Sequence, residues 1–507
     1  MIRGAPGIVV CLLAIAGCGR ATPEPPPGTI GSAADGGVSA EVADTVRRFC
    51  GDCHALHDGT SFAREDWPRE VRQGFVFYER SLRSDLKRPP EAETVRLFQA
   101  SAPEALRIDR AADRVEAEPP VVFAPLRLAA GSERPSPVIA HVLWRPDERV
   151  LFTSDMRSGE VSRWTLDVAP GGGEGTVSST PVTRVSHACR LTPTSSGSDP
   201  AGWLLADLGS FNVVDHDRGS VLRMTAGGGV ETVLGRLSRV VEVQPWPAGG
   251  GVVVAEFGWR ATGALRMVPA DGGAATILDA RHGALGVRVA DLDGDGHDDI
   301  VSAFAQEHET VDVYWGRDGG DVEHATIHRF PDPSWGSSGF EITDLDADGR
   351  LDILHTNGDM MDSGIAKPYH GVRWLRNEGG RAFTCHELIR MPAASQASAA
   401  DLDGDGDLDV VVSALHPWAA GSPAGTFAAL LWLEQRPGGE FAPHTIALDR
   451  CDHASFTVAD VDRDGRPDLV AGVWRPDERG PAEAPLRVWL NRPASVADPL
   501  HSDGGRR

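Results

Sequence analysis

Two groups of residues in this 507-residue sequence have the type and spacing to do chemistry. The first is Cys50-Gly51-Asp52-Cys53-His54. Two thiols followed at once by an imidazole can form two thioethers to a porphyrin and give its iron one axial ligand. This is the attachment pattern of c-type haem. A zinc half-site would want a second Cys/His pair nearby, and Cys189 is distant and alone. A dithiol redox pair would want a βαβ surround, which the flanks do not offer. No methionine lies between His54 and Met156, so the common Met sixth ligand is missing and the redox potential stays open. Spacing places His57 about one turn beyond His54 on the same helix, on the wrong side of the ring to replace it.

The second group is a pattern repeated four times. It comprises Asp291, Asp293, Asp295 and Asp299; Asp344, Asp346, Asp348 and Asp352; Asp401, Asp403, Asp405 and Asp409; and Asp460, Asp462, Asp464 and Asp468. Carboxylates stand at positions 1, 3, 5 and 9, with glycine at position 6. Alternating acids in a tight turn point inward, which is the Ca²⁺ logic of the EF-hand loop. Hard oxygen donors suit Ca²⁺ over zinc or copper. Apolar strands flank the loops instead of helices, as in Gly286–Ala290 and Ile300–Phe304. Their expected role is structural calcium that stiffens turns.

The four loops recur at spacings of 53, 57 and 59 residues, a repeat architecture. They resemble FG-GAP/VCBS repeats, a resemblance that implies a β-propeller with the loop between the first two strands of each blade. Val150–Asp155, Trp203–Leu208 and Val252–Phe257 match the second strand of blades that have lost their aspartates. With the strands beginning at Ile300, Ile353, Val410 and Leu469, the expected count is seven blades. Third strands recur at Val311–Trp315, Gly371–Leu375, Leu430–Leu433 and Leu486–Leu490. Nothing after Leu490 can supply the last outer strand, so residues 121–130 are expected to close the ring beside 486–492.

The segment around the cysteines reads as three helices: Val42–Phe49, Trp67–Ser81 and about Pro90–Ala102. Arg3 and the apolar run Ile8–Ala16 read as an export signal too short to span a bilayer. Ile15-Ala16-Gly17-Cys18 resembles the lipobox of bacterial lipoproteins, which implies lipidation of Cys18. Gly19 after it gives no sign of inner-membrane retention. The expected division is a signal at 1–17, a tether at 18–40, a small all-α cytochrome c-like domain at 41–118, a mainly β seven-bladed propeller at 119–495 and a polar tail at 496–507. The formal net charge of −24 argues against nucleic acid, which needs clustered Lys and Arg. Seven cysteines leave Cys189, Cys385 and Cys451 after the leader, lipid and haem assignments, and a Cys385–Cys451 bridge is one option.

Two further features could carry function. His141, His187, Glu242, His282 and His453 fall near the starts of inner strands. There they either converge at one mouth of the channel or simply line it, and lining is the expectation. The loop Asn357–Gly371 holds Asp359, Asp362, Lys367, Tyr369 and His370, suited to binding or to capping the helices. The helix from Trp67, Ala255-Glu-Phe-Gly-Trp-Arg260 and Lys367-Pro-Tyr-His-Gly-Val372 resemble exported CxxCH lipoproteins with FG-GAP/VCBS repeats, known mainly from planctomycetes and related bacteria. The resemblance implies haem c, Ca²⁺ and a lipid anchor to the cell envelope, facing the periplasm or the cell surface. The expected function is electron transfer or haem redox, with a redox protein or a carbohydrate as partner. A sugar-type oxidoreductase with its site at the propeller mouth, and a surface protein that binds polysaccharide or protein, are the alternatives.

Overall fold

The computed structural model describes residues 36–494, except 53, 82, 110–117, 129–133, 170–173, 195–198, 248–249, 271–272, 362, 416–425, 449 and 477–481. The expected signal, Cys18, most of the tether, Cys53, Asp362 and the tail lie outside the described residues. No helix among the described residues is long and apolar enough to cross a membrane.

Seven sheets of at least four strands form a β-propeller. Their inner strands are Ile139–Arg145, Ala188–Thr192, Val240–Trp246, Ala284–Ala290, Ser337–Thr343, Ala394–Ala400 and Phe456–Ala459. Each packs against the next, and the seventh packs against the first. Space narrows toward the axis, and the inner strands of blades 4 and 6 are rich in Ala, Gly and Ser. Second strands lie between neighbouring blades and are buried along their whole length, as in Asp299–Phe304 and Asp409–Ala414. Outer strands such as Ala382–Arg390 alternate toward solvent.

The ring closes as expected from the sequence. Val121–Pro125 forms the outer strand of blade 7, antiparallel to Leu486–Pro493, with Val121 opposite Pro493 and Pro125 opposite Trp489. Two residues on, Arg127–Leu128 pairs in parallel with Glu174–Gly175, at the outer edge of blade 1. One stretch of chain therefore holds both sides of the seam.

Strand direction alternates within a blade, which sorts the connections by face. The aspartate loops and the third-to-fourth-strand hairpins share one face. The second-to-third-strand hairpins and the links between blades share the other. Three helices pack on this second face: α1 (Ala40–Cys50), α2 (Trp67–Arg80) and α3 (Glu91–Gln99). Pro68 in the first turn of α2, and Glu91 and Glu93 in that of α3, suit helix starts. The helices share a core of Val46, Phe49, Phe62, Trp67, Phe75, Leu97 and Phe98, with Trp67 stacked on Phe98 at 4.2 Å.

Asparagines on third strands stitch blades together. Asn491 Nδ2 donates to Leu402 O of the preceding blade's loop at 2.7 Å and to Pro467 O at 3.2 Å. Asn377 Nδ2 does the same with Leu292 O at 2.8 Å and Leu351 O at 3.0 Å. Both residues are buried. Removing such a donor strands two buried carbonyls, so Asn491→Ala is expected to cost about 1–3 kcal/mol. The check is a lower urea midpoint with an unchanged slope.

Candidate functional site

Helix α1 ends at Cys50, where the Gly51 amide donates back to Arg47 O at 2.9 Å. Asp52 then pairs with Arg83 at 2.6 Å. The chain from Ala55 to Asp58 is not helical. This corrects the expectation that His54 and His57 share a helix: His57 is drawn to the propeller instead, with Nδ1 3.3 Å from Asp332 Oδ1. Cys50 packs at the edge of the helical core, and burial pushes its thiol up to about 12.

His54 Nδ1 lies 2.6 Å from Ala55 O. A carbonyl only accepts, so Nδ1 carries the proton and the neutral ring keeps its lone pair on Nε2. Burial lowers the basicity of His54 and His57 lowers it further, while the carboxylates of Glu307 and Asp332 act in the opposite sense. The motif histidine therefore stands near propeller side chains.

Asp332, in the link between blades 4 and 5, anchors the helical segment. Its carboxylate accepts from Asp58 N at 3.0 Å, from Ser61 Oγ and from Ser334 N at 2.8 Å. The blade 5 loop completes the mount. Lys367 Nζ donates to Ser61 O at 2.8 Å and lies 3.0 Å from the centre of the Phe62 ring. Ile365 joins the helical core, and Tyr369 stacks on Trp335 at 4.7 Å. Arg260, in blade 3, covers Phe77 of α2 at 3.2 Å. Of the two uses foreseen for this loop, the geometry shows the capping one.

The aspartate loops lie on the opposite face. In each, the carboxylates of positions 1, 3 and 5 bring oxygens within 4.8 Å of one another: Asp291, Asp293 and Asp295; Asp344, Asp346 and Asp348; Asp401, Asp403 and Asp405; Asp460, Asp462 and Asp464. Position 6 must be left-handed, and Gly296, Gly349, Gly406 and Gly465 have φ of 88°, 86°, 100° and 86°. The position 9 acids stand apart. Asp299 accepts from Leu292 N at 2.8 Å and Gly316 N at 2.7 Å. Asp468 accepts from Val461 N and Asn491 N, both at 2.8 Å, and Asp352 and Asp409 repeat the pattern. Each thereby ties its loop to the third strand. Arg381 pairs with Asp293 at 2.6 Å, Arg376 with Asp346 at 2.6 Å and Arg492 with Asp462 at 2.6 Å. Among the described residues, no such arginine reaches the blade 6 loop.

The polar residues at the inner-strand starts do not meet at one site, although His141 and Glu242 both lie near Arg190 and Arg288. His141 Nδ1 accepts from Leu191 N at 3.3 Å, and His187 Nδ1 meets Met156 O at 2.9 Å. His453 Nδ1 meets Gly472 O at 3.2 Å. Glu242 is buried between Arg190 at 2.9 Å and Arg288 at 2.5 Å; burial pushes its carboxyl up, and the two guanidiniums hold it below its usual range. His282 belongs elsewhere, with Glu307 at 2.9 Å. Cys385 and Cys451 lie in different core clusters and form no disulfide.

Some working residues carried no recognised signal. In blades 1–3, acids at or near the end of the second strand cap the backbone where the inner strand begins. Asp155 accepts from Val138 N at 3.2 Å, Asp207 from His187 N at 2.8 Å and Glu256 from Ser238 N at 2.7 Å. The recurring signal was an acid in the second half of each of these strands.

Residues 291–355 match the FG-GAP-like repeat family. No curated protein sequence matches the chain. Among solved structures it is similar to a gluconolactonase from Xanthomonas campestris, at 14% identity and a TM-score of 0.37, over 64% of this chain and 98% of that one. It is also similar to a luciferin-regenerating enzyme, at 12% identity and 0.36, over 55% and 84%. A chain of a nidogen/laminin complex follows at 11% identity and 0.31, over 47% and 76%. Likenesses this distant say nothing of activity.

The Asp332 anchor has a definite pH dependence. Burial pushes its carboxyl up, but hydrogen bonds from His57, Ser334 and Ser61 outweigh burial and hold it well below the usual range. A folded value below the unfolded one, about 3.9, gives stability that is complete above that value and lost as pH falls through the folded one. Docking of the helices is therefore expected to survive mild acid and fail only below it. Asp332→Ala should weaken docking by about 1–3 kcal/mol, read as faster hydrogen exchange in α1 and α2 with the blades unchanged.

Proposed function

We propose that this chain is an exported, lipid-anchored c-type haem protein for electron transfer, mounted on a calcium-stabilised propeller. The observation that carries the reading is the setting of His54. A backbone carbonyl fixes its Nδ1–H, leaving Nε2 as the available donor, the arrangement that orients imidazoles for metals. Cys50, at the end of α1 beside an aromatic core, fits a thioether to a porphyrin edge. Cys53 would supply the second thioether and His54 the axial bond. Haem supplies the one-electron chemistry when bound. The chain's own residues orient the imidazole, hold the helices to the propeller through Asp332 and Lys367, and surround the thiol with apolar side chains.

The propeller loops fit Ca²⁺ by their all-oxygen donor sets. Burial pushes the carboxyls of Asp409 and Asp468 up to about 7, a cost that a bound cation would offset. The carboxylates of positions 1, 3, 5 and 9 would hold the ions and brace the turns between first and second strands. The lipid anchor rests on Cys18 and its apolar leader.

Two measurements test the reading. Full-length protein made alongside haem-maturation machinery is expected to give a pyridine haemochrome spectrum with one haem per chain. Cys50→Ser combined with Cys53→Ser should abolish the covalent product, and wild type lacking covalent haem would sink the redox reading. Ca²⁺ at about 100 times its Kd stabilises by about 2.7 kcal/mol per site. Excess chelator should accordingly lower the melting temperature, and an unchanged one would remove calcium from the loops.

A further inference from the structure

The helix-bearing face carries a second cluster of ligand-type side chains. His282 lies in the link into blade 4, and Glu307 and His308 sit in that blade's hairpin between Asp299–Phe304 and Thr310–Gly316. Two unconnected segments thus converge. His282 Nε2 lies 2.9 Å from Glu307 Oε1, and the two imidazole centres are 4.9 Å apart. One donor atom from each residue falls within 4.8 Å of the other two.

His308 gives an independent sign. Its Nε2 is buried and has no hydrogen-bond partner among the described residues. Buried polar atoms are nearly always satisfied, so an orphan nitrogen beside a carboxylate and a second imidazole calls for a partner. A hydrogen-bond partner would satisfy one nitrogen, whereas a cation would engage all three donors at once.

We infer that His282, Glu307 and His308 form a site for one divalent transition metal of the zinc class. Two imidazoles and a carboxylate are a familiar zinc donor set with a fourth position open. Ca²⁺ favours all-oxygen cages, so the aspartate loops on the other face would not compete for the same ion. Glu307 and His282 are partly exposed, with side chains 29% and 14% accessible, which leaves the ion a way in. The site needs no haem and stands whether or not haem is attached.

The test is calorimetric titration of Zn²⁺ into the full chain, with the calcium loops saturated by Ca²⁺. It is run on the haem-loaded protein and on the Cys50→Ser/Cys53→Ser variant, so that the thiols of the motif cannot bind the probe. One Zn²⁺ per chain is expected in both. His308→Ala and Glu307→Gln should each weaken it by more than the about 10–100-fold that an outer partner costs. Circular dichroism without zinc should match the parent, separating lost binding from lost folding. Co²⁺ in place of Zn²⁺ should give a visible absorption band that both variants lose. Zinc bound equally by parent and variants, or not at all, overturns the site. So does a haem spectrum that turns from low-spin to high-spin in His308→Ala, because the imidazole would then belong to iron.

Discussion

The pairing of Val121–Pro125 with Leu486–Pro493 holds the molecule together. A propeller has no covalent closure, and without this strand blade 7 would present an open edge. The seam is held at several points. Arg127–Leu128 continues onto blade 1, Arg134–Pro135 pairs with Ala482–Glu483, and Ile139 N donates to Val473 O at 3.0 Å. The closing strand lies between the helices and the first blade in sequence. The contact that completes the ring therefore also ties down the chain leading from the helical segment.

Acids do three kinds of work in this fold, and net charge alone does not distinguish them. Some converge in the turns of blades 4–7, where like charges within 4.8 Å repel unless a cation or an arginine intervenes. Others, at position 9, satisfy backbone amides. A third set, Asp155, Asp207 and Glu256, caps inner strands on the opposite face. Blades 1–3 lack the loop acids yet keep the blade geometry, so the loops are not required for a four-stranded sheet to form.

Much of this was legible in the sequence. Seven second strands, the closing segment and three helices follow from apolar runs at regular spacing, because burial between neighbouring blades forces continuous hydrophobicity. What escaped were contacts between residues far apart in sequence. His57 continues a helical spacing from His54, yet Asp332, hundreds of residues later, outcompetes the next helical turn for it. The histidines His141, His187 and His453 fall near the starts of inner strands, but each meets a different neighbour. His282 was expected only as a channel-lining residue, Glu307 and His308 carried no expectation at all, and only the fold puts the three together.

The two faces divide the labour under the proposed reading. A six-residue strand separates the aspartate loops from the helix-bearing face, a distance of roughly 20 Å. Coulomb energy falls as the inverse of distance, so at that separation it is about one fifth of its value at about 4 Å in the same medium. A calcium ion therefore acts on His54 far more weakly than the charges beside it. Any influence of the loops on the motif must pass through blade packing, by way of buried second strands such as Asp299–Phe304 and the hairpin that carries Glu307 and His308. Local charge at His54 is set instead by its own neighbours, among them His57, Glu307 and Asp332. The propeller then does more than carry the helices, since two of those three neighbours are its own residues.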